Sequence, residues 1–121
     1  MSSEIPPKVQ NQLAQLQQMQ QQAQMLVGQK NQIELSLREV DHALEALGDA
    51  PDGAVIYQAI GEIMIKSDMN KTVESLKEKR ETFDIRLKTL ARQEERIQSR
   101  FTELQEQLKD ALGAGAGVTA E

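Results

Sequence analysis

Ala54–Lys66 reads AVIYQAIGEIMIK, and it differs in character from the sequence on either side of it. Val55, Ile56, Tyr57, Ile60, Ile63, Met64 and Ile65 crowd into this short stretch. Val, Ile and Tyr fit a pleated strand, and Gly61 falls where a hairpin loop needs positive φ. The reading is a β-hairpin over 54–66, with strands near Ala54–Gln58 and Glu62–Lys66 and a three-residue loop, Ala59-Ile60-Gly61. Alternation puts Val55 and Tyr57 on one face and Ile56 on the other, then Ile63 and Ile65 against Met64. A lone two-stranded hairpin is marginal in water. This one has apolar groups on both faces and open strand edges, so it calls for partners.

Working outward toward the N-terminus, Asp49-Ala50-Pro51-Asp52-Gly53 is a dense turn signal, placed within a turn over 48–53. Before it, apolar positions step by threes and fours: Leu16, Met19, Ala23, Leu26, Lys30, Ile33, Leu37, Val40, Leu44 and Leu47. That is a heptad seam with one charged intruder, Lys30. Val9 and Leu13 continue the stripe in a slipped register. The expected helix covers 9–47, after an N-terminal tail over 1–8 in which Pro6 and Pro7 suit a first turn. Gly48 is expected to close the helix as a left-handed cap. Glutamine dominates Gln10–Gln24. A polar low-complexity tract is one reading, but the apolar stripe through it favours a helix of uncharged formers.

Toward the C-terminus, Asn70 is the preferred N-cap, with Ser67, Asp68 and Thr72 as rivals. A second seam follows: Val73, Leu76, Arg80, Phe83, Leu87, Leu90, Glu94, Ile97, Phe101, Leu104, Leu108 and Ala111. No Gly or Pro interrupts it before Gly113. The second helix is expected over 67–112, with a flexible tail over 113–121. Two seams of similar length around a short connection predict a mostly α chain, a long antiparallel two-helix coiled coil with a central β-hairpin. Seam positions whose numbers add to about 120 then share a layer in this antiparallel register. Leu44 meets Leu76, Leu37 meets Phe83, Ala23 meets Ile97 and Leu16 meets Leu104. Lys30 and Glu94 fall in neighbouring layers, where a pair across the seam would pin the register.

Composition excludes several classes. The chain has 121 residues, one domain's worth, and only 2% aromatics. That argues against a compact aromatic core. With no Cys there is no disulfide framework, thiol nucleophile or zinc-thiolate site. One His, His42, excludes any site that needs two imidazoles from a single chain. The formal net charge of -5 disfavours nucleic-acid binding. No apolar run approaches a membrane span, and no secretory signal is read at Met1–Pro7, so a cytoplasmic protein is expected.

Several motifs have plainer explanations. Glu39-Val40-Asp41-His42 has Glu-x-x-His spacing, but a carboxylate-bridged metal site needs two such motifs, and chance spacing on an exposed face explains one. Asn70-Lys71-Thr72 is a sequon that helix capping explains. Gly113-Ala-Gly115-Ala-Gly117 lacks the strand–turn–helix context of a phosphate loop. Lys88, Arg92, Arg96 and Arg100 form a basic stripe. Nearby Glu94, Glu95 and Glu103 favour a solvated face over a nucleic acid or an acidic partner. No nucleophile–base pair, metal set or cofactor motif stands out, so an enzyme is not expected.

Three stretches together resemble the archaeal-type prefoldin β subunit: VQNQLAQLQQMQQQAQ at Val9–Gln24, VIYQAIGEIMIK at Val55–Lys66, and LKEKRETFDIRLKTLARQEERI at Leu76–Ile97. One central hairpin, where the α-type subunit has two, favours the β type. The resemblance implies a hexamer of two α-type and four β-type subunits. In it Val55, Ile56, Tyr57, Ile60, Gly61, Ile63, Met64 and Ile65 would join an intersubunit β-barrel. The coiled coils would hold non-native client polypeptides at their distal tips and pass them to a group II chaperonin without ATP. No cofactor, nucleic acid or membrane is implied.

The residues support part of this independently. Near the chain ends the stripe slips and is diluted by Gln12 and Gln20. A poorly paired seam opens readily and offers soft apolar groups. The expected client-binding set is Val9, Leu13, Leu16, Met19, Phe101, Leu104, Leu108 and Leu112. The alternative is a structural coiled coil whose seam is well paired to the very end and holds no clients.

Overall fold

The computed structural model describes residues 5–120. The elements run α1 (Pro7–Asp49), β1 (Ile56–Ile60), β2 (Ile63–Ser67) and α2 (Met69–Ala120). Helix α1 starts as proline chemistry dictates. The Gln10 N–H donates to the Pro6 carbonyl at 3.0 Å, and Pro7 takes the first helical position, where its missing N–H is not needed. Gly48 does not cap the helix: it is helical, and α1 runs on to Asp49. The last turn tightens, with Ala50 N–H donating to the Leu47 carbonyl at 3.3 Å, and Pro51 blocks continuation. The left-handed glycine is Gly53, with φ +78°. It sits third in the turn that Ala54 N–H closes onto the Pro51 carbonyl at 3.1 Å, the glycine position of a type II turn.

The hairpin is present, shifted from its expected frame. Ile60 pairs with Ile63, so the loop is the two residues Gly61 and Glu62 rather than Ala59-Ile60-Gly61. Gly61 has φ +60° and comes first in that loop, the glycine-first pattern of a type II′ turn. The tighter loop follows the right-handed twist of the strands and moves β1 two residues toward the loop, at unchanged length.

Asp68, not Asn70, caps α2. Its carboxylate accepts the Lys71 N–H at 2.9 Å, and its carbonyl accepts the Thr72 N–H at 2.9 Å. Helix α2 extends to Ala120, so the tail expected to be flexible over 113–121 is helical as far as that residue. Alanines between the glycines have the highest helix propensity and offset the cost of the glycines. At the other end, Pro7 and Lys8 are helical, while residues 1–4 of the expected N-terminal tail lie outside the described residues.

The chain divides into two compact units. The terminal unit holds α1 up to Gln29 and α2 from Leu90; the hairpin unit is Lys30–Thr89. In each, the helix segments pack antiparallel. In the terminal unit, Gln22, Met25, Leu26 and Gln29 share a groove with Gln93, Arg96, Ile97 and Arg100. In the hairpin unit, Arg80 Nε lies 3.1 Å from Asp41 Oδ1. Both match the expected antiparallel register. Burial is thin, as two helices alone cannot enclose a side chain on all sides. Among the described residues only Val9, Leu26, Val40 and Leu104 are buried apolar groups.

The inner stripe of α1 corrects the expected slip at Leu13. Val9, Gln12, Leu16, Met19, Ala23, Leu26 and Lys30 are its covered positions, an unbroken step of threes and fours. Gln12 occupies the seam and Leu13 turns outward, 37% exposed. Lys30 and Glu94 are both half-buried.

Candidate functional site

Two regions carry the sequence-predicted site residues. The first is the hairpin. The register places Ile56, Ile60, Ile63 and Ile65 on one face with Gln58 and Ser67. Tyr57, Ala59 and Met64 share the other face with Lys66. Val55, Ile60, Ile63 and Ile65 are exposed, as are Tyr57 at 59% and Met64 at 67%. Only Ile56 is half-covered. Five large apolar side chains exposed on a two-stranded ribbon, with Val55 beside it, are far more than a monomer's surface ordinarily leaves together. Both outer strand edges are also unpaired in the single chain. Apolar faces provide burial and open edges provide backbone hydrogen bonds, so the hairpin can join other strands by both means.

The second region lies at the helix ends in the terminal unit. Leu16, Leu108 and Leu112 line one shallow groove of about 730 Å³, beside Thr102, Gln105 and Lys109. The structure thus brings three of the eight expected client-binding residues together. Leu13 is exposed, and Leu112 is 54% exposed. Met19, on the inner stripe of α1, and Phe101, on α2, are half-buried. Val9 and Leu104 are buried, so they face the partner helix while the seam is closed.

Gln12 is a seam residue and more than a diluent of the stripe. It is 8% exposed, and its Oε1 has no hydrogen-bond partner. A buried amide oxygen left unpaired costs about 1–3 kcal/mol. The signal was in the heptad count: a seam run back from Leu16 in steps of four and three lands on Gln12 and Val9. Met25, exposed at 65%, lies outside the seam and faces outward.

Other chemistry is sparse. Among the described residues no group of three or more His, Asp and Glu side chains is placed to share a metal ion. No described helix is long and apolar enough to cross a membrane. The Asp41–Arg80 pair is solvent-exposed on both sides and contributes about 0–1 kcal/mol.

The fold defines the class first: a two-helix coiled coil carrying one solvent-exposed β-hairpin. A family model described as "Prefoldin subunit" matches residues 10–115. The prefoldin β subunit of Methanothrix thermoacetophila is 57% identical over 113 residues, 93% of this chain and 94% of that protein. That of Methanococcoides burtonii is 58% identical over 113 residues, covering 93% and 97%. The crystal structure of the prefoldin β subunit from Thermococcus strain KS-1 superimposes with a TM-score of 0.82 at 42% identity, covering 90% of this chain and 96% of that one. The chain belongs to the prefoldin subunit family. Members are non-enzymatic chaperone subunits that form hetero-oligomers with other prefoldin subunits. These three relatives are β subunits, in agreement with the single hairpin.

Proposed function

We propose that this chain is a β-type subunit of an ATP-independent holdase. Its hairpin joins those of α-type and other β-type subunits in an intersubunit β-barrel, within an assembly of two α-type and four β-type chains. Its helix ends hold non-native polypeptides, prevent their aggregation, and release them to a group II chaperonin in the cytoplasm. The observation that supports this most is the pairing of two apolar surfaces in one small chain. The hairpin exposes Tyr57, Ile60, Ile63 and Met64. The helix ends present Leu13, Leu112 and the groove of Leu16 and Leu108. One surface serves permanent assembly; the other, on a thin seam with an unpaired Gln12 oxygen, serves transient capture. Burial at about 25 cal/mol per Å² makes even a modest client patch a useful contact. Several chains holding one client then multiply weak contacts through effective concentration.

The test mixes the chain with an α-type prefoldin subunit and measures native mass, then light scattering of an unrelated denatured protein diluted into the mixture. The reading requires a discrete hetero-oligomer that suppresses scattering without ATP. A discrete assembly without suppression would leave a scaffolding coiled coil in its place.

A further inference from the structure

A second groove in the terminal unit, of about 400 Å³, combines apolar and cationic lining residues. Met25, Leu26 and Ile97 supply its apolar lining, Gln22, Gln29 and Gln93 line it too, and Arg96 and Arg100 supply its charge. Arg92 joins the same two arginines in an adjoining depression with Glu95 and Ser99. Arg92, Arg96 and Arg100 recur every four residues on α2 and are all exposed. Like charges at this spacing repel and weaken a helix. The usual remedy, carboxylates on the facing helix, is missing: α1 has no charged residue of either sign from Val9 to Gln29. Among the described residues none of the three arginines makes an ion pair. Glu95 and Glu103 sit on α2 itself.

We infer that this groove docks a peptide segment in which a bulky apolar side chain is flanked by two or more carboxylates. The apolar residue covers Met25 and Ile97, and the carboxylates receive the Arg96 and Arg100 guanidiniums, whose forked donors suit them. Met25 is soft enough to fit different apolar shapes. The composition of the groove favours a peptide over a nucleic acid. It has no exposed aromatic platform for base stacking and only three cations, on a chain of net charge -5. The inference is independent of client holding at the helix ends.

The probe is a fluorescein-labelled helical peptide with Leu and Glu on one face, titrated into the full-length chain by anisotropy. Controls are the same peptide with Gln for every Glu, and a single-stranded oligodeoxythymidine. The protein variants are Arg96→Gln with Arg100→Gln, Met25→Gln, and Leu13→Ser with Leu112→Ser at the helix ends. All change exposed side chains, and far-UV circular dichroism checks that helicity is kept. The Glu peptide should bind the parent chain and lose about tenfold or more in affinity to the arginine variant, as when a charge-assisted contact is removed. Met25→Gln should weaken it, the Gln peptide should bind poorly, and added salt should reduce the difference. The helix-end variant should bind as the parent does. Equal affinity for the arginine variant, tighter binding of the oligonucleotide, or loss of binding only in the helix-end variant would each overturn the inference. So would dissociation of the chain's own assembly by Met25→Gln, which would mean that another copy already covers the groove.

Discussion

Gln12 is where the seam of the terminal unit is weakest. It takes a heptad position that Met19, Leu26, Ile33, Val40 and Leu47 fill elsewhere in α1, and its buried oxygen has no partner. Gln12→Leu should raise stability by about 1–3 kcal/mol, the cost of the unpaired group together with the gain in apolar burial. Thermal unfolding followed at 222 nm would show it as a higher midpoint. If opening of this seam admits clients, the same variant should hold a denatured protein less well. A second residue-scale prediction concerns Asp68. Asp68→Ala should cost about 1 kcal/mol in urea unfolding, because it leaves the Lys71 N–H without its carboxylate. Asn70→Ala should stay within about 0.5 kcal/mol, as for exposed substitutions away from special features. The sequence could not separate the two, since Ser67, Asp68, Asn70 and Thr72 are all capable caps. What decides is where β2 stops. With Ser67 in the strand and Met69 in the helix, Asp68 alone is left at the boundary.

The helices were legible as elements because steps of three and four survive even where the side chains are Gln or Lys. Their ends were less so. Gly48 and Gly113 are both strong local stop signals, yet each lies inside a helix, since one glycine costs only about 1 kcal/mol against a long run of hydrogen-bonded turns. The hairpin was legible from its composition, but its loop was not, because Gly61 fits either a three-residue loop or the first place of a two-residue one. The pairing of Ile60 with Ile63 resolves this and puts four isoleucines on one face. Gly61→Ala should therefore destabilise the hairpin by about 1–2 kcal/mol, through the left-handed φ alone, since no atom crowds an added Cβ. Loss of amide protection in β1 and β2, with α1 and α2 unchanged, is the expected result. Ile63→Asp with Ile65→Asp puts two charges on the isoleucine face. If that face is the proposed subunit joint, sedimentation velocity should show the mixture with an α-type subunit falling apart, because burying unpaired carboxylates is prohibitive. An unchanged complex would mean that the joint lies elsewhere.

For the molecule as a whole, fold and family were both legible, for one reason. A chain with so few buried side chains must write its pairing in periodicity, and a hairpin so exposed must write its need for partners in composition. The candidate client site was only half legible. Periodicity locates the seam but does not say which member of a covered pair turns outward, so Leu13 and Leu112 could not be told from Val9 and Leu104. The groove of Leu16, Leu108 and Leu112 depends on the offset between the two helices, which no single stretch encodes. The central claim is that assembly and client holding reside in different parts of the chain. It is tested most directly by deleting Met1–Gln18 together with Glu106–Glu121 and measuring, on the complex with an α-type subunit, both native mass and suppression of aggregation. Ile33→Val in the hairpin unit serves as the control that weakens the coiled coil slightly and spares holding. The account predicts that the doubly truncated complex keeps its mass and no longer suppresses aggregation. Full suppression by that complex would contradict it and would move the binding surface to the hairpin assembly.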